Sequence, residues 1–336
     1  MDDKPDSLKD RRGTGSNLEI RSSSPSTSLL RDLYARMLLT RVVDEYSCAL
    51  YEQGQVGFVA SCCGHEAAQV ASTICIEVGK DFTLPYYRDL GVVLTIGMTP
   101  YEVFRTYLQA HSRQTVGRDS VEPGEQMAFR QPRTHTISHW GYHKHNMVTG
   151  PGPVATQILH AAGIAFACKL RKAPVVTVAY CGDGATAEPD FLEGITFAAQ
   201  HQLPVVFICE QDCSHSHTDI SSLSPLLQNL TLPPGLEHCC IDGSDVITVY
   251  ATMRAAMQYA REGRGPVLLE MCVHRPAPGQ PYISHSSEEY PVDPLLRCQQ
   301  LLEEQGMWDE QWATQLRTRI YAEVEQAMQD ALRDAS

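Results

Sequence analysis

Two aspartates, Asp183 and Asp212, stand where a pair of carboxylates could share one ligand. The first lies in Tyr180-Cys-Gly-Asp-Gly-Ala-Thr-Ala-Glu188, and the second closes Cys209-Glu-Gln-Asp212. Each follows a short apolar run that reads as a strand, and a helical stretch separates them. Their separation of 29 positions amounts to about one βαβ unit. A right-handed crossover makes the two strands parallel, so both strand ends fall on one sheet edge. Open α/β sheets bind ligands at that edge. Gly182 and Gly184 let the backbone approach a bulky anion. Two hard oxygen ligands, with a diphosphate completing the shell, suit Mg²⁺. A bare Gly-Asp-Gly is also an ordinary strand-to-helix turn. The spacing, the strand–helix–strand context and the second acidic residue favour the ligand-binding reading.

The elements that must position this pair follow from the apolar pattern. Residues 174–180, 204–209, a short stretch around Cys239-Cys240-Ile241, and 267–273 read as strands; 189–201, with Pro at its start, and 245–262 read as helices. Continuous apolar strands alternating with helices imply an α/β fold, a mostly parallel sheet flanked by helices. Residues 1–28 are polar, with SSSPSTS at 22–28, and read as a flexible arm. A helix begins near Leu29 and stops at Gly54, and another begins at His65. The expected organisation is a ligand-binding α/β domain over 29–293 and a helical C-terminal extension over 294–336. In that extension Trp312, Leu316, Ile320, Val324 and Met328 recur every four residues as one apolar stripe. The stripe packs either on its own domain or on a partner.

The composition narrows the function. Asp plus Glu number 40 against 27 Lys plus Arg, a formal charge of −13, which argues against general nucleic-acid binding. No apolar run approaches the ~20 residues that span a bilayer. The twelve cysteines follow a start, MDDKPDSLKDRR, without the apolar core of a signal peptide. Reduced buried thiols and a cytoplasmic location are therefore expected. No Gly-x-Gly-x-x-Gly opens a helix after a strand, which speaks against a nicotinamide dehydrogenase.

With these residues in view, the chain resembles a known family. GDGATAEPDFLEGITFAAQHQLPVVFICEQD resembles the thiamin-diphosphate motif, Gly-Asp-Gly followed after a helix and a strand by two asparagines. It is similar in particular to the alpha subunit of the decarboxylating component of 2-oxo acid dehydrogenase complexes. The branched-chain 2-oxo acid members are nearest; pyruvate and acetoin enzymes are close relatives. SCCGHEAAQV at 61–70, LPYYRDLGVVLTIGMTPYEVF at 84–104, HWGYHKHNMVTGPGPVATQILHAAGIAFA at 139–167 and IDGSDVITVY at 241–250 extend the likeness from about residue 30 to 310. The resemblance implies a thiamin-diphosphate-binding fold. It implies that Tyr87 and Arg88 hold the diphosphate, and that Gly182, Gly184 and Ala185 surround the cofactor. Asp183 and Asp212 would ligate Mg²⁺, with the backbone carbonyl of Ser214 as a third ligand. Gly152, Pro153 and Val154 would approach the aminopyrimidine. Thr156 and Gln157 match positions that bind a structural potassium ion in some members.

The chain departs from the pattern at four consecutive positions. Gln211-Asp212 replaces the double asparagine, and Cys213 and Ser214 stand where a glycine and a tyrosine usually follow. Aspartate can ligate Mg²⁺ but adds negative charge beside a diphosphate, which is unfavourable unless Arg88 and the metal offset it. Cys213 is strained if its φ is positive. His215 and His217 in the following SHSHTD run read as a solvated loop, with a metal site as the alternative. The family's loop histidine, which contacts the diphosphate and assists acyl transfer, falls on Gly279 by counting from Arg275 and on His285 by matching His-Ser-Ser. His285 is the preferred catalytic candidate. A further insertion spans about 128–136. The activity implied is decarboxylation of a 2-oxo acid, with transfer of the acyl group to a lipoyl-bearing transacylase. The activating glutamate would come from a beta subunit in an α₂β₂ heterotetramer, since 336 residues leave no room for both subunits. The rival expectation is a degenerate paralogue with a structural or regulatory role, motivated by positions 211–214.

Overall fold

A computed structural model of the chain describes residues 18–20, 26–116, 140, 144–214, 230–276 and 293–335, with backbone alone over 110–116. His285, Gly279, the His215/His217 run, the insertion at 128–136 and most of the arm at 1–28 lie outside the described residues. In chain order the elements are α1 (Thr27–Glu52), α2 (Glu66–Thr73), β1 (Phe82–Leu84), α3 (Leu90–Ile96), α4 (Pro100–Val116), α5 (Thr156–Leu170) and β2 (Thr177–Gly182). There follow α6 (Pro189–Gln200), β3 (Val205–Asp212), β4 (Glu237–Asp242), α7 (Val246–Arg261), β5 (Val267–Val273), α8 (Pro294–Glu304) and α9 (Glu310–Ala335).

The strands form one parallel sheet in the order β1-β2-β3-β5-β4. Their side chains alternate between two cores. Val178, Tyr180, Val206, Ile208 and Leu269 pack with α1–α4 and α7–α9. Ala179, Cys181, Phe207, Cys209 and Leu268 pack with α5 and α6. Both faces are covered, which is why these strands are apolar without alternation. Helices α5 and α6 meet closely at Gly194, where a Cβ would lie 2.8 Å from the Ile158 side chain and 3.1 Å from its backbone. β1 is not legible in the sequence: three residues closed off by Pro85 carry too little pattern.

The helix ends follow local chemistry. Ser26 caps α1 by accepting the Leu29 N–H at 3.3 Å, and Gly54, at φ 70°, follows its end. Asp245 caps α7 through the N–H groups of Ile247 (3.0 Å) and Thr248 (3.1 Å). The stripe on α9 is satisfied within the chain. Leu316, Ile320 and Val324 are buried, and α9 lies along α1 and α4. Trp308 and Trp312 flank Tyr34 at ring separations of 5.2 and 5.9 Å. Among the described residues no helix is long and apolar enough to cross a membrane.

α1 also holds the loop that leads into α2. Arg41 bonds Glu66 at 2.5 Å and forks onto both oxygens of Asp293, the α8 cap, at 3.1 Å. One turn on, Asp44 accepts from the Ser61 hydroxyl (2.6 Å) and the Cys62 N–H (3.0 Å). Burial pushes the Asp44 carboxyl up to about 6, against the pull of those two bonds. A carboxyl raised in the folded state favours folding while protonated, and that contribution is lost as pH rises through the folded value. Unfolding free energy should therefore fall by ~3 kcal/mol between about pH 4 and pH 6 from this group. Asp44→Asn should flatten that part of the curve in urea titrations at stepped pH. A slope identical to that of the unaltered chain would refute the assignment.

Candidate functional site

The C-terminal edge of the sheet opens into a cavity of about 260 Å³. The segment after β1 supplies Tyr86, Tyr87 and Arg88; the turn after β2 supplies Gly182, Asp183, Gly184, Ala185 and Glu188. The end of β3 gives Glu210 and Asp212, and Arg275 follows β5. His65, just before α2, and the stretch Pro151, Gly152, Pro153, Val154 and Gln157 at the start of α5 complete the wall. The structure thus brings Tyr87, Arg88, Gly152, Pro153, Val154, Gly182, Asp183, Gly184, Ala185 and Asp212 to one place. The β2–β3 register, with Gly182 beside Glu210, explains how residues so distant in sequence meet.

Asp183 turns back on its own loop, accepting the Gly184 N–H at 2.8 Å, while its carbonyl accepts the Thr186 hydroxyl at 2.7 Å. Asp212 accepts from the Ser214 N–H (3.0 Å) and hydroxyl (2.5 Å), and Arg275 lies 3.6 Å from its other oxygen. Burial raises the Asp212 carboxyl, but these partners outweigh it and hold the group below the usual carboxylate range. The added charge of an aspartate here is therefore offset by Arg275, a residue the motif does not single out. Arg88 instead donates to the Ser61 carbonyl at 3.0 Å and stacks over Tyr87 at 5.3 Å. Ser214 is not among the residues lining the cavity; its hydroxyl bridges Asp212 and the Arg275 backbone. Gln157 donates to the Tyr180 carbonyl at 2.9 Å, and Thr156 is not part of the lining.

The glycines test whether the loop leaves room for something other than protein. At Gly184 nothing lies within 4 Å of where a Cβ would sit, and its φ is not positive. No neighbour in the described protein requires glycine there, so the space is open on the cavity side. The wall carries Asp183, Glu188, Glu210 and Asp212 against Arg88 and Arg275. An anionic ligand alone would meet net negative charge, which a divalent cation between them would neutralise. Among the described residues no three His, Cys, Asp or Glu side chains form a metal site by themselves. A cation held here would need oxygens from the two aspartates and from the ligand, a donor set of the kind that suits Mg²⁺.

Several cavity residues are not found from the motif. Glu210 is a buried carboxylate directly after the apolar run VVFIC of β3, and that misfit is the signal that could have marked it. Tyr86 and Arg275 give no comparable signal. Ala155 adopts a left-handed backbone (φ 70°) while fully buried, a sparsely populated conformation beside the cavity wall.

The expectation of reduced thiols needs one correction. Ten cysteines are free among the described residues, but Cys213 and Cys272 are joined, with Cα atoms 5.7 Å apart. Their strands are neighbours: the Cys213 N–H donates to the Val273 carbonyl at 2.8 Å. The φ of Cys213 is not positive, so the strain feared for a side chain in a glycine's place does not arise.

Comparison with known proteins agrees with this geometry. The family model described as "Dehydrogenase E1 component" matches residues 34–336. The chain is 33% identical to 2-oxoisovalerate dehydrogenase subunit alpha of Bacillus subtilis (strain 168) over 311 residues, 89% of each chain. It is 29% identical to pyruvate dehydrogenase E1 component subunit alpha of Staphylococcus aureus (strain Mu50 / ATCC 700699) over 313 residues, 90% of this chain and 78% of that one. The pyruvate dehydrogenase E1 component subunit alpha of Bacillus subtilis (strain 168) matches at 28% identity.

Proposed function

The chain belongs to the dehydrogenase E1 component family, as an alpha subunit of a thiamin-diphosphate-dependent 2-oxo acid dehydrogenase, and we propose that it serves a branched-chain 2-oxo acid, with Mg²⁺ and a separate beta subunit. The observation that most supports this reading is the shared cavity of Asp183, Asp212, Tyr87 and Arg88. When bound, thiamin diphosphate supplies the electron sink for loss of CO₂ from the 2-oxo acid. The chain's own residues bind and orient. Asp183 and Asp212 present oxygens to Mg²⁺, with the Ser214 carbonyl as a third donor. Arg88 offers a planar fork to the diphosphate, and Tyr87 accompanies it. Gly152, Pro153 and Val154 flank the aminopyrimidine, while Gly182, Gly184 and Ala185 keep the loop clear of the ligand. Thr156 and Gln157 are the candidates for a structural potassium ion. His285 is assigned as the catalytic loop histidine.

The branched-chain preference rests on the Bacillus subtilis 2-oxoisovalerate relative. The beta subunit is supported by exposed apolar side chains at the cavity and on the two helices α5 and α6. Leu159 and Leu170 on α5, and Leu192 and Phe197 on α6, are exposed, as is Val154 at 46%. Such side chains suit an obligate partner, here in an α₂β₂ heterotetramer that hands its acyl group to a lipoyl-bearing transacylase. Ten free thiols among the described residues accord with a cytoplasmic compartment.

Reconstitution tests the proposal. The chain is assayed alone and with its beta subunit, using an artificial electron acceptor and 2-oxoisovalerate, pyruvate or acetoin. No turnover is expected from the chain alone. With the partner, kcat/KM should be highest for 2-oxoisovalerate, by ~10-fold or more. Decarboxylation by the isolated chain would contradict the proposal, and a preference for pyruvate would reassign the substrate. The competing reading, a non-catalytic partner, is motivated by the departures at Gln211, Asp212, Cys213 and Ser214. It requires that the complex bind no thiamin diphosphate in calorimetric titration with Mg²⁺.

A further inference from the structure

Glu210 and His65 form a buried pair that the roles above do not use. The Glu210 side chain is fully buried, and its Oε2 gathers three neighbours: His65 Nδ1 at 2.5 Å, the Tyr86 hydroxyl at 2.8 Å and Gln69 Nε2 at 3.1 Å. The Tyr86 and Gln69 groups donate, so this oxygen is an acceptor and His65 Nδ1 carries a hydrogen toward it. The imidazole is thereby fixed in orientation, as a ring held from behind by a carboxylate. Its other nitrogen, Nε2, is buried and has no partner among the described residues. The same is true of Glu210 Oε1. Both residues line the cavity.

A buried polar atom without a partner is unfavourable in a finished core. His65 Nε2, on an oriented ring at the wall of a cavity, points to a ligand that completes its bonding, while Glu210 Oε1 calls for a donor. The surroundings narrow its chemistry. Gln69 also bonds the Arg88 carbonyl at 3.1 Å, and Asp89 holds the Tyr86 N–H at 2.7 Å. The same network therefore fixes both His65 and the turn that carries Tyr87 and Arg88. A ring that bonds Glu210 through Nδ1–H donates through Nε2 to an anionic oxygen on its other side when both nitrogens carry hydrogens, and accepts there when only Nδ1 does.

We propose that His65 is a further ligand-contacting residue of this site, its Nε2 meeting an anionic oxygen of the bound cofactor or substrate, with Glu210 as the positioning residue behind it. The proposal rests on the functional reading above, because it takes thiamin diphosphate and a 2-oxo acid as the ligands. A phosphoryl oxygen and a substrate carboxylate share the required chemistry, and the experiment separates them.

The test compares the unaltered alpha–beta complex with His65→Ala and His65→Asn complexes. Affinities for magnesium pyrophosphate and for magnesium thiamin diphosphate are measured by calorimetry, and KM for the 2-oxo acid by steady-state kinetics. Loss of one such hydrogen bond should weaken the contacted ligand roughly 10- to 100-fold. Weaker pyrophosphate binding assigns the contact to the diphosphate. Unchanged pyrophosphate binding with a raised KM assigns it to the substrate carboxylate. Added imidazole should restore much of the loss in His65→Ala, which a merely structural histidine would not show. In the unaltered complex the His65 ring resonances, identified by their absence from the variants, should shift on ligand addition. That measurement needs only one of the two variants to fold. Unchanged affinities and KM in folded variants, or unmoved ring resonances, would overturn the proposal. If the unaltered complex bound no thiamin diphosphate at all, the functional reading would fail first and take this one with it.

Discussion

Asp183→Ala should abolish Mg²⁺-dependent thiamin diphosphate binding by the alpha–beta complex, with a loss in affinity of about 100-fold or more. Residues that only support a metal ligand typically contribute 10- to 100-fold, and a ligand itself contributes no less. The fold should tolerate the change. Among the described residues the Asp183 side chain makes a single local bond, to the Gly184 N–H, and the residue is partly exposed. Its removal should leave stability within ~0.5 kcal/mol, as for other substitutions away from the core. Asp183→Asn, which keeps one oxygen but no charge, should fall between the two. Calorimetric titration with and without Mg²⁺ reads the effect. Wild-type affinity in a folded Asp183→Ala complex would mean that the ligand is anchored elsewhere, and the site assignment would fall with it.

The largest loss of stability is expected at Arg41, far from the chemistry. Arg41→Ala should destabilise the chain by about 3–5 kcal/mol, the cost of stranding buried charge. Glu66 is fully buried and is the first residue of α2; Asp293 caps α8 and is 8% exposed. Without the guanidinium both carboxyl groups stay buried with fewer partners, although Glu66 retains the Gly64 N–H at 2.9 Å. The loss approaches half the net stability of an ordinary domain. Urea unfolding followed by circular dichroism measures it. Arg36→Ala is the contrast: its ion pair with Asp32 joins side chains 39% and 46% exposed and should be worth less than ~1 kcal/mol. Equal effects of the two substitutions would show that burial does not govern this cluster. His65 immediately precedes Glu66, so a loosened α2 start should also be felt at the cavity.

Much of this architecture is legible locally because a parallel sheet covered on both faces leaves long apolar strands. β2, β3 and β5 have that pattern, and the run through Asp183 and Asp212 marks its own strand ends. The stop of α1 follows from Gly54 in the same way; its start does not, for Thr27 and Ser28, capped by Ser26, fall within the polar arm expected over 1–28. What the sequence does not carry is the lateral order of strands. β5 lies between β3 and β4, so Cys272 comes beside Cys213 and Arg275 beside Asp212, across about sixty residues of chain. Neither contact has a local signature. The Glu210 pair is hidden for a related reason: its partners, His65, Gln69 and Tyr86, arrive from a helix start and a turn more than 120 residues away.

The aromatic packing gives the chain its own optical probes. Trp308 and Trp312 sit together against Tyr34, where α1, α8 and α9 meet, so their emission follows the integrity of that helical layer. Trp140 is separate: it is buried edge-on to Tyr107, and its carbonyl receives the Gly150 N–H at the head of the stretch that reaches the cavity. Removing the first two by substitution with phenylalanine leaves one indole, placed to report on the packing of the segment that leads to the cavity.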